Sequence, residues 1–286
     1  MVKRKIIQAA ATVIQNGNLS GFASGSLYRG PLKQICVPSL NCHSCPGALG
    51  ACPIGSMQAL AISPNFGLSF YVYGTLVLIG VLFGRLICGF ICPFGLIQEL
   101  LHKIPLKKIG QTPVFRVLRK LKYLILVVLV IGLPTAIMLT GGIGFPAFCQ
   151  FVCPAGTLGA GVPMAISNAR IQSALGLLFV WKGVILAVVL VAAVKIFRPF
   201  CKFVCPLGAI YALLNKISVV HIMTDSELCN GCGGCMSICK MHASGTDDFE
   251  CIRCGECVSY CPNNAKKWSI KTRNAAQKVY GKRSKV

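Results

Sequence analysis

Three long stretches of this chain, residues 66–87, 121–140 and 174–196, are apolar almost throughout. Each is long enough to cross a hydrocarbon core about 30 Å thick as a helix. A fourth stretch, residues 5–27, is broken by Asn16-Gly17-Asn18 and by serines. It reads either as another span or as an amphipathic helix in the interface. The polar intervals differ in charge. Residues 93–122 carry Lys103, Lys107, Lys108, Arg116, Arg119, Lys120 and Lys122 against Glu99 alone, whereas residues 141–173 carry only Arg170. The positive-inside rule puts the first interval and the segment from 197 onward in the cytoplasm, and the second outside. The pattern predicts three or four spans, with both ends inside if 5–27 crosses. Within the last stretch, Trp181-Lys182 reads as an interfacial anchor with the lysine reaching outward. Gly80 and Gly84 form one small-xxx-small pair.

Composition strengthens the membrane reading. Hydrophobic residues make up 55% of the 286, and mean hydropathy is +0.69, far above a soluble domain. The net charge is +22, and six of the seven acidic residues follow position 224. The basic residues flank apolar spans and form no aromatic-interleaved face, which argues against nucleic acid. They suit lipid headgroups or an acidic redox partner, particularly Lys266, Lys267, Lys271, Arg273, Lys278, Lys282 and Arg283 near the C-terminus. No small-residue cleavage site follows Lys3-Arg4-Lys5, so no secretory signal peptide is expected.

Cysteine spacing supplies the chemistry. Cys229-x2-Cys232-x2-Cys235-x3-Cys239 is followed by Cys251-x2-Cys254-x2-Cys257-x3-Cys261-Pro262. This double run wraps two [4Fe–4S] cubanes, with the fourth cysteine of each run ligating the other run's cluster. The expected sets are Cys229, Cys232, Cys235, Cys261 and Cys251, Cys254, Cys257, Cys239. Zinc would call for two closed four-cysteine sites, and a disulfide framework does not suit a cytoplasmic segment.

A second element recurs between the spans: Cys88-x3-Cys92-Pro-Phe-Gly, Cys149-x3-Cys153-Pro-Ala-Gly and Cys201-x3-Cys205-Pro-Leu-Gly, with an altered copy at Cys45 to Cys52-Pro-Ile-Gly. Spacing of i, i+4 puts both thiols on one side of a helical turn. The proline stops that turn, and the glycine lets backbone pass close to a bulky group. Topology pairs Cys88 and Cys92 with Cys201 and Cys205 on the inner side. On the outer side, Cys149 and Cys153 pair with Cys52 and its companion Cys45. Residues 45–92 and 149–205 then read as parallel repeats. Cys36 and Cys42 are left over; a disulfide, or Cys42 in place of Cys45, stays open. The alternative for all these elements is inert buried thiols, which three near-copies disfavour.

Other cofactors find little support. His43, His102, His221 and His242 lie outside the strong spans, no Cys-x-x-Cys-His attaches haem, and no Gly-x-Gly-x-x-Gly marks a flavin or nicotinamide dinucleotide. Cys42-His-Ser-Cys45 has no βαβ context that would make it a thioredoxin-like pair.

The Cys-x3-Cys-Pro elements at Cys88/Cys92 and Cys201/Cys205, together with the double run at 229–261, resemble the membrane polyferredoxin family that includes NapH-type quinol dehydrogenase subunits. The cluster-bearing membrane part of nitrous-oxide reductase maturation proteins (NosR-type) is similar. The resemblance implies electron passage between the quinone pool, clusters and partner subunits. Cys149/Cys153 and the group from Cys42 to Cys52 depart from that pattern and favour passage through the membrane.

The expected architecture is an all-α polytopic domain with a C-terminal α+β ferredoxin domain. Its parts are a membrane-associated segment (1–65), a transmembrane domain (66–215), a 2[4Fe–4S] ferredoxin domain (216–270) and a basic tail (271–286). The expected function is an electron relay through four [4Fe–4S] clusters in the inner membrane of a prokaryote, inside a larger redox complex, with the C-terminus cytoplasmic. Soluble ferredoxin or flavodoxin is a candidate partner. The alternatives are a subunit exchanging electrons with menaquinone, and an iron–sulfur sensor or maturation protein.

Overall fold

A computed structural model describes residues 2–62, 69–110, 112–140, 144–173 and 175–270. The basic tail 271–286 lies outside the described residues. The chain is mostly helical up to Leu214 and ends in a small domain built on one antiparallel pair, β1 (Val220–Thr224) and β2 (Lys266–Ile270), with Ile222 opposite Trp268.

Among the described residues two helices are long and apolar enough to cross a bilayer, Pro113–Leu139 and Leu177–Lys195. Leu177, Val184, Val188 and Val191 of the second are exposed, so its apolar surface has no protein partner along much of its length. The expected span at 66–87 corresponds to a helix over Ser69–Phe83. These fifteen residues at about 1.5 Å each cover part of a crossing, and residues 63–68 before them lie outside the described ones. The expected span at 121–140 begins earlier, at Pro113, and widens into a π turn over Leu126–Gly132 just before Pro134. A second π turn, Thr157–Gly161, stands just before Pro163. A proline offers no N–H and crowds the carbonyl four residues back, so the helix widens one turn upstream.

The N-terminal stretch is two helices, Val2–Gln15 and Leu19–Ser24, interrupted where Asn16-Gly17-Asn18 breaks the pattern. The first helix presents Arg4, Gln8 and Gln15 along one face, all buried. Spacings of four and seven make such a stripe. They donate to the carbonyls of Gly89, Cys92 and Ile91 at 2.8, 2.8 and 3.1 Å. The face that reads as an amphipathic polar stripe is thus an inward one, covering the loop around Cys92.

Two buried carboxylates each carry two cations. Glu99 pairs with Arg4 and Arg198, both at 2.8 Å. Glu250 pairs with Arg85 at 2.6 Å and Lys122 at 2.5 Å. The second group joins the two parts of the molecule, because Glu250 belongs to the C-terminal domain and Arg85 and Lys122 do not. Asn215 extends the join, donating to the carbonyls of Asp248 and Cys251 at 2.9 and 3.1 Å. Arg119 donates to the Met241 carbonyl at 3.1 Å, so the basic interval 93–122 and the C-terminal domain share one side. Gly89 permits the closest approach: a Cβ there would lie 2.6 Å from the Ile252 carbonyl oxygen.

Candidate iron-sulfur centres

Each Cys-Pro element folds in one way. Short helices over Leu86–Phe90, Ala147–Phe151 and Pro199–Phe203 carry the first thiol. The second thiol caps a new helix whose first residue is the proline: Cys92 before Pro93, Cys153 before Pro154, Cys205 before Pro206, and likewise Cys52 before Pro53. Proline suits the first helical position, where its missing N–H is not needed. The thiol then sits at the positive end of the helix. At Cys205 the Gly208 N–H points to Sγ at 3.3 Å. Such a cap favours thiolate over thiol.

Cys88, Cys92, Cys201 and Cys205 are all buried and lie within electrostatic range of one another. Arg85 and Arg198 act on Cys88, and Arg198 also on Cys92 and Cys201. Both guanidiniums are fully buried, as are Lys122 and Lys202, against the carboxylates of Glu99 and Glu250. Gly95 lets Arg198 in, since a Cβ there would meet its guanidinium at 3.1 Å. Cations buried in excess of carboxylates call for further negative charge. Four thiolates around an anionic cubane supply it, so the donor set and its surroundings fit a [4Fe–4S] cluster.

The second group lies about a cavity of about 1070 Å³ whose walls include Cys42, Cys52, Cys149, Cys153 and Cys36. Cys52 is within electrostatic range of Cys149, Cys153 and Cys42. The thiol of Cys45 is not part of that wall. It lies 3.6 Å from Asn16 Oδ1 and packs beside Gly159. Cys36 and Cys42 are both free thiols, and the Cys36 N–H donates to the Tyr71 hydroxyl at 3.3 Å. Lys182 does not reach away from the protein: its Nζ donates to the Cys149 carbonyl at 3.2 Å, while Trp181 Nε1 donates to the Phe151 carbonyl at 3.1 Å. The pair clasps the Cys149 element.

In the C-terminal domain Cys239, Cys251, Cys254 and Cys257 line a small cavity, together with Cys235. Cys229 and Cys232 are exposed. Burial pushes the thiols of Cys251, Cys254 and Cys257 up to about 11, so loading iron there expels protons. Among the described residues no three His, Cys, Asp or Glu side chains converge on a single metal ion.

Three kinds of site residue escaped the sequence reading. The buried cations Arg85, Arg198 and Lys202 stand next to cysteines, which was a usable signal. Gln58 and Gln98 share the frame Cys-Pro-x-Gly-x-x-Gln, also visible. Tyr211, fully buried with its hydroxyl on the Pro38 carbonyl at 2.7 Å, carried no signal.

Family models match four segments of the chain. A 4Fe-4S binding domain model matches residues 65–111, 124–166 and 177–222, and a second matches 246–267. The chain is a 4Fe–4S binding protein. An uncharacterized protein of Methanocaldococcus jannaschii is 30% identical over 205 residues, covering 70% of this chain and 76% of that one. The methylamine utilization ferredoxin-type protein MauN of Paracoccus denitrificans is 29% identical over 54% of the chain, and the ferredoxin-type protein NapH of Escherichia coli 26% over 65%. The chain belongs to the NapH-type polyferredoxin family, and is an iron–sulfur electron-transfer protein of ferredoxin type. It spans 48% of the length of that MauN and 59% of that NapH. No solved structure matches it.

Proposed function

We propose that this protein is a membrane-embedded electron relay holding four [4Fe–4S] clusters in a row within a larger redox complex. The order from one end is Cys229/Cys232/Cys235/Cys261, then Cys239/Cys251/Cys254/Cys257, then Cys88/Cys92/Cys201/Cys205, then Cys42/Cys52/Cys149/Cys153. The clusters supply one-electron carriage when bound; the chain supplies spacing, burial and charge. The observation that carries the reading is the join at Arg85. Its guanidinium acts on Cys88 and donates to the Cys201 carbonyl at 3.3 Å, while bonding Glu250, the residue before Cys251. One side chain thus ties the inner thiols to the C-terminal domain.

At the other join, Tyr211 is within electrostatic range of Cys88 and Cys92 on one side and of Cys36 and Cys52 on the other. Its side chain is fully buried, and in this reading it stands between the two groups. Tyr211→Phe is expected to keep full transfer and lose about 1 kcal/mol. Tyr211→Ala is expected to slow transfer and lose about 3–5 kcal/mol. Stopped-flow reduction and thermal unfolding check both; an unslowed Ala variant would remove Tyr211 from the path.

The exposed apolar flanks of Leu177–Lys195 and the basic interval beside the C-terminal domain support a multi-pass inner-membrane placement with the C-terminus inside, and the matching Cys-Pro frames support an internal repeat. The exposed Cys229/Cys232 end suits a soluble ferredoxin-like partner. The deciding experiment is an iron and sulfide count with EPR on anaerobically purified protein. About sixteen irons per chain are expected, four per cubane; eight would mean that the membrane thiols hold none.

The cavity beside Cys42 favours a second reading, in which a quinone exchanges electrons there. At about 1070 Å³ it reaches the top of the roughly 300–1,000 Å³ range for small-molecule sites, and Tyr71, Met164, Leu175 and Phe179 line it. Menaquinone-dependent bleaching of reduced protein supports that reading; no bleaching counts against it.

A further inference from the structure

Two glutamines stand in equivalent places at the two membrane thiol groups. Gln58 and Gln98 are both fully buried, each six residues after the cysteine that opens its helix. Gln58 Oε1 accepts from the Phe148 N–H at 3.0 Å, and its Nε2 faces Cys149 Sγ at 3.3 Å. Gln98 Oε1 accepts from the Phe200 N–H at 3.1 Å, and its Nε2 faces Cys201 Sγ at 3.2 Å. Each Nε2 also donates to the carbonyl four residues back, that of Ile54 at 3.4 Å and Phe94 at 3.2 Å.

The orientation of each amide is settled by its partners. A backbone N–H only donates, so the amide atom facing Phe148 or Phe200 is oxygen. The nitrogen end then has two hydrogens. One goes to the helix carbonyl, and the other points at sulfur. A buried amide is costly unless all its groups are used, and here the sulfur completes the set. In the other two Cys-Pro helices the same frame position holds Gly159 and Tyr211. Each thiol group therefore receives one glutamine, reaching from one Cys-Pro element to the first cysteine of the opposite element.

We propose that Gln58 and Gln98 are positioning residues that set the reduction potentials of the two membrane clusters, each through an N–H to cysteine sulfur. This rests on the reading of those thiols as cluster ligands. A hydrogen bond to a ligand sulfur favours the more negative, reduced state and raises the potential. Removing one donor shifts that cluster's reduction equilibrium by about tenfold, or about 59 mV for one electron, to lower potential. The effect is local: Gln58→Leu moves one EPR signal and Gln98→Leu a different one.

The test is an EPR-monitored redox titration of full-length, anaerobically purified wild type and of the Q58L, Q58M, Q98L and Q98M variants, each with an iron count. Full iron content with one lowered midpoint per variant supports the proposal. Full iron content with unmoved midpoints overturns it and leaves the cluster reading standing. If the variants lose iron, wild-type protein labelled with ¹⁵N in glutamine side chains decides: electron–nuclear coupling on two of the reduced-cluster signals supports the proposal, and none overturns it. A wild type with only eight irons overturns both readings together and is recognised by that count.

Discussion

Cys42→Ser is expected to remove about four irons per chain and one EPR signal, while Cys45→Ser leaves iron content unchanged. The two cysteines are three residues apart, yet their settings differ. Cys42 lines the cavity with Cys52, Cys149 and Cys153, and its Sγ is 3.5 Å from where a Cβ on Gly156 would stand. Cys45 is turned toward Asn16 and Gly159. Replacing a thiolate ligand takes away a bond that serine oxygen replaces poorly for a soft metal site, whereas Cys45→Ser exchanges one buried donor for another. Both ferredoxin-type signals should persist in both variants. Iron loss in the Cys45 variant alone would return the fourth position to Cys45.

Glu250→Gln is expected to weaken the seating of the C-terminal domain by about 3–5 kcal/mol, because it leaves Arg85 and Lys122 buried without their counter-charge. Burial alone would raise the Glu250 carboxyl, but Arg85 and Lys122 beside it outweigh that and hold it below the ordinary carboxylate value. A depressed carboxyl contributes its stability above the unfolded value of about 4.3 and loses it as pH falls through the folded value. The contribution of the Glu250 charge is therefore present at neutral pH and is lost in acid. Amide exchange at Val219, whose N–H bonds the Val81 carbonyl at 2.8 Å, reports on this join directly. Protection should fall in the Gln variant while the irons of the ferredoxin-type runs remain. Undiminished protection would mean that the join is carried without Glu250 by Asn215 and by Arg253, which donates to the Phe83 carbonyl at 3.2 Å.

The cysteine runs could be read from the sequence because ligand spacing along a chain is a local property. The apolar helices could be read for the same reason, although Pro134 alters the pitch of one of them in a way hydropathy does not record. What spacing left undecided was the choice between Cys42 and Cys45. Both precede Cys52 at plausible distances, and only the turn at 42–48, where Cys45 N–H bonds the Cys42 carbonyl at 3.1 Å, separates the two thiols. The inward stripe of Arg4, Gln8 and Gln15 looked like a polar face because its partners are carbonyls far away along the chain. Arg85 and Glu250 are likewise distant in sequence, so nothing in either neighbourhood announces the other.

Those long separations bear on the order in which the molecule is made. Arg4 meets Glu99 across 95 positions, and Arg85 meets Glu250 across 165. The N-terminal helix therefore waits for the middle of the chain before it can settle, and the C-terminal domain closes over the same region only once Glu250 has been made, with its Ile252 carbonyl lying against Gly89, whose own carbonyl takes Arg4. In the finished molecule Cys88, Cys92, Cys201 and Cys205 are buried beneath both. On the reading proposed for these thiols, delivery of iron and sulfide belongs to the interval before that closure, and the fold sets its timing during biogenesis.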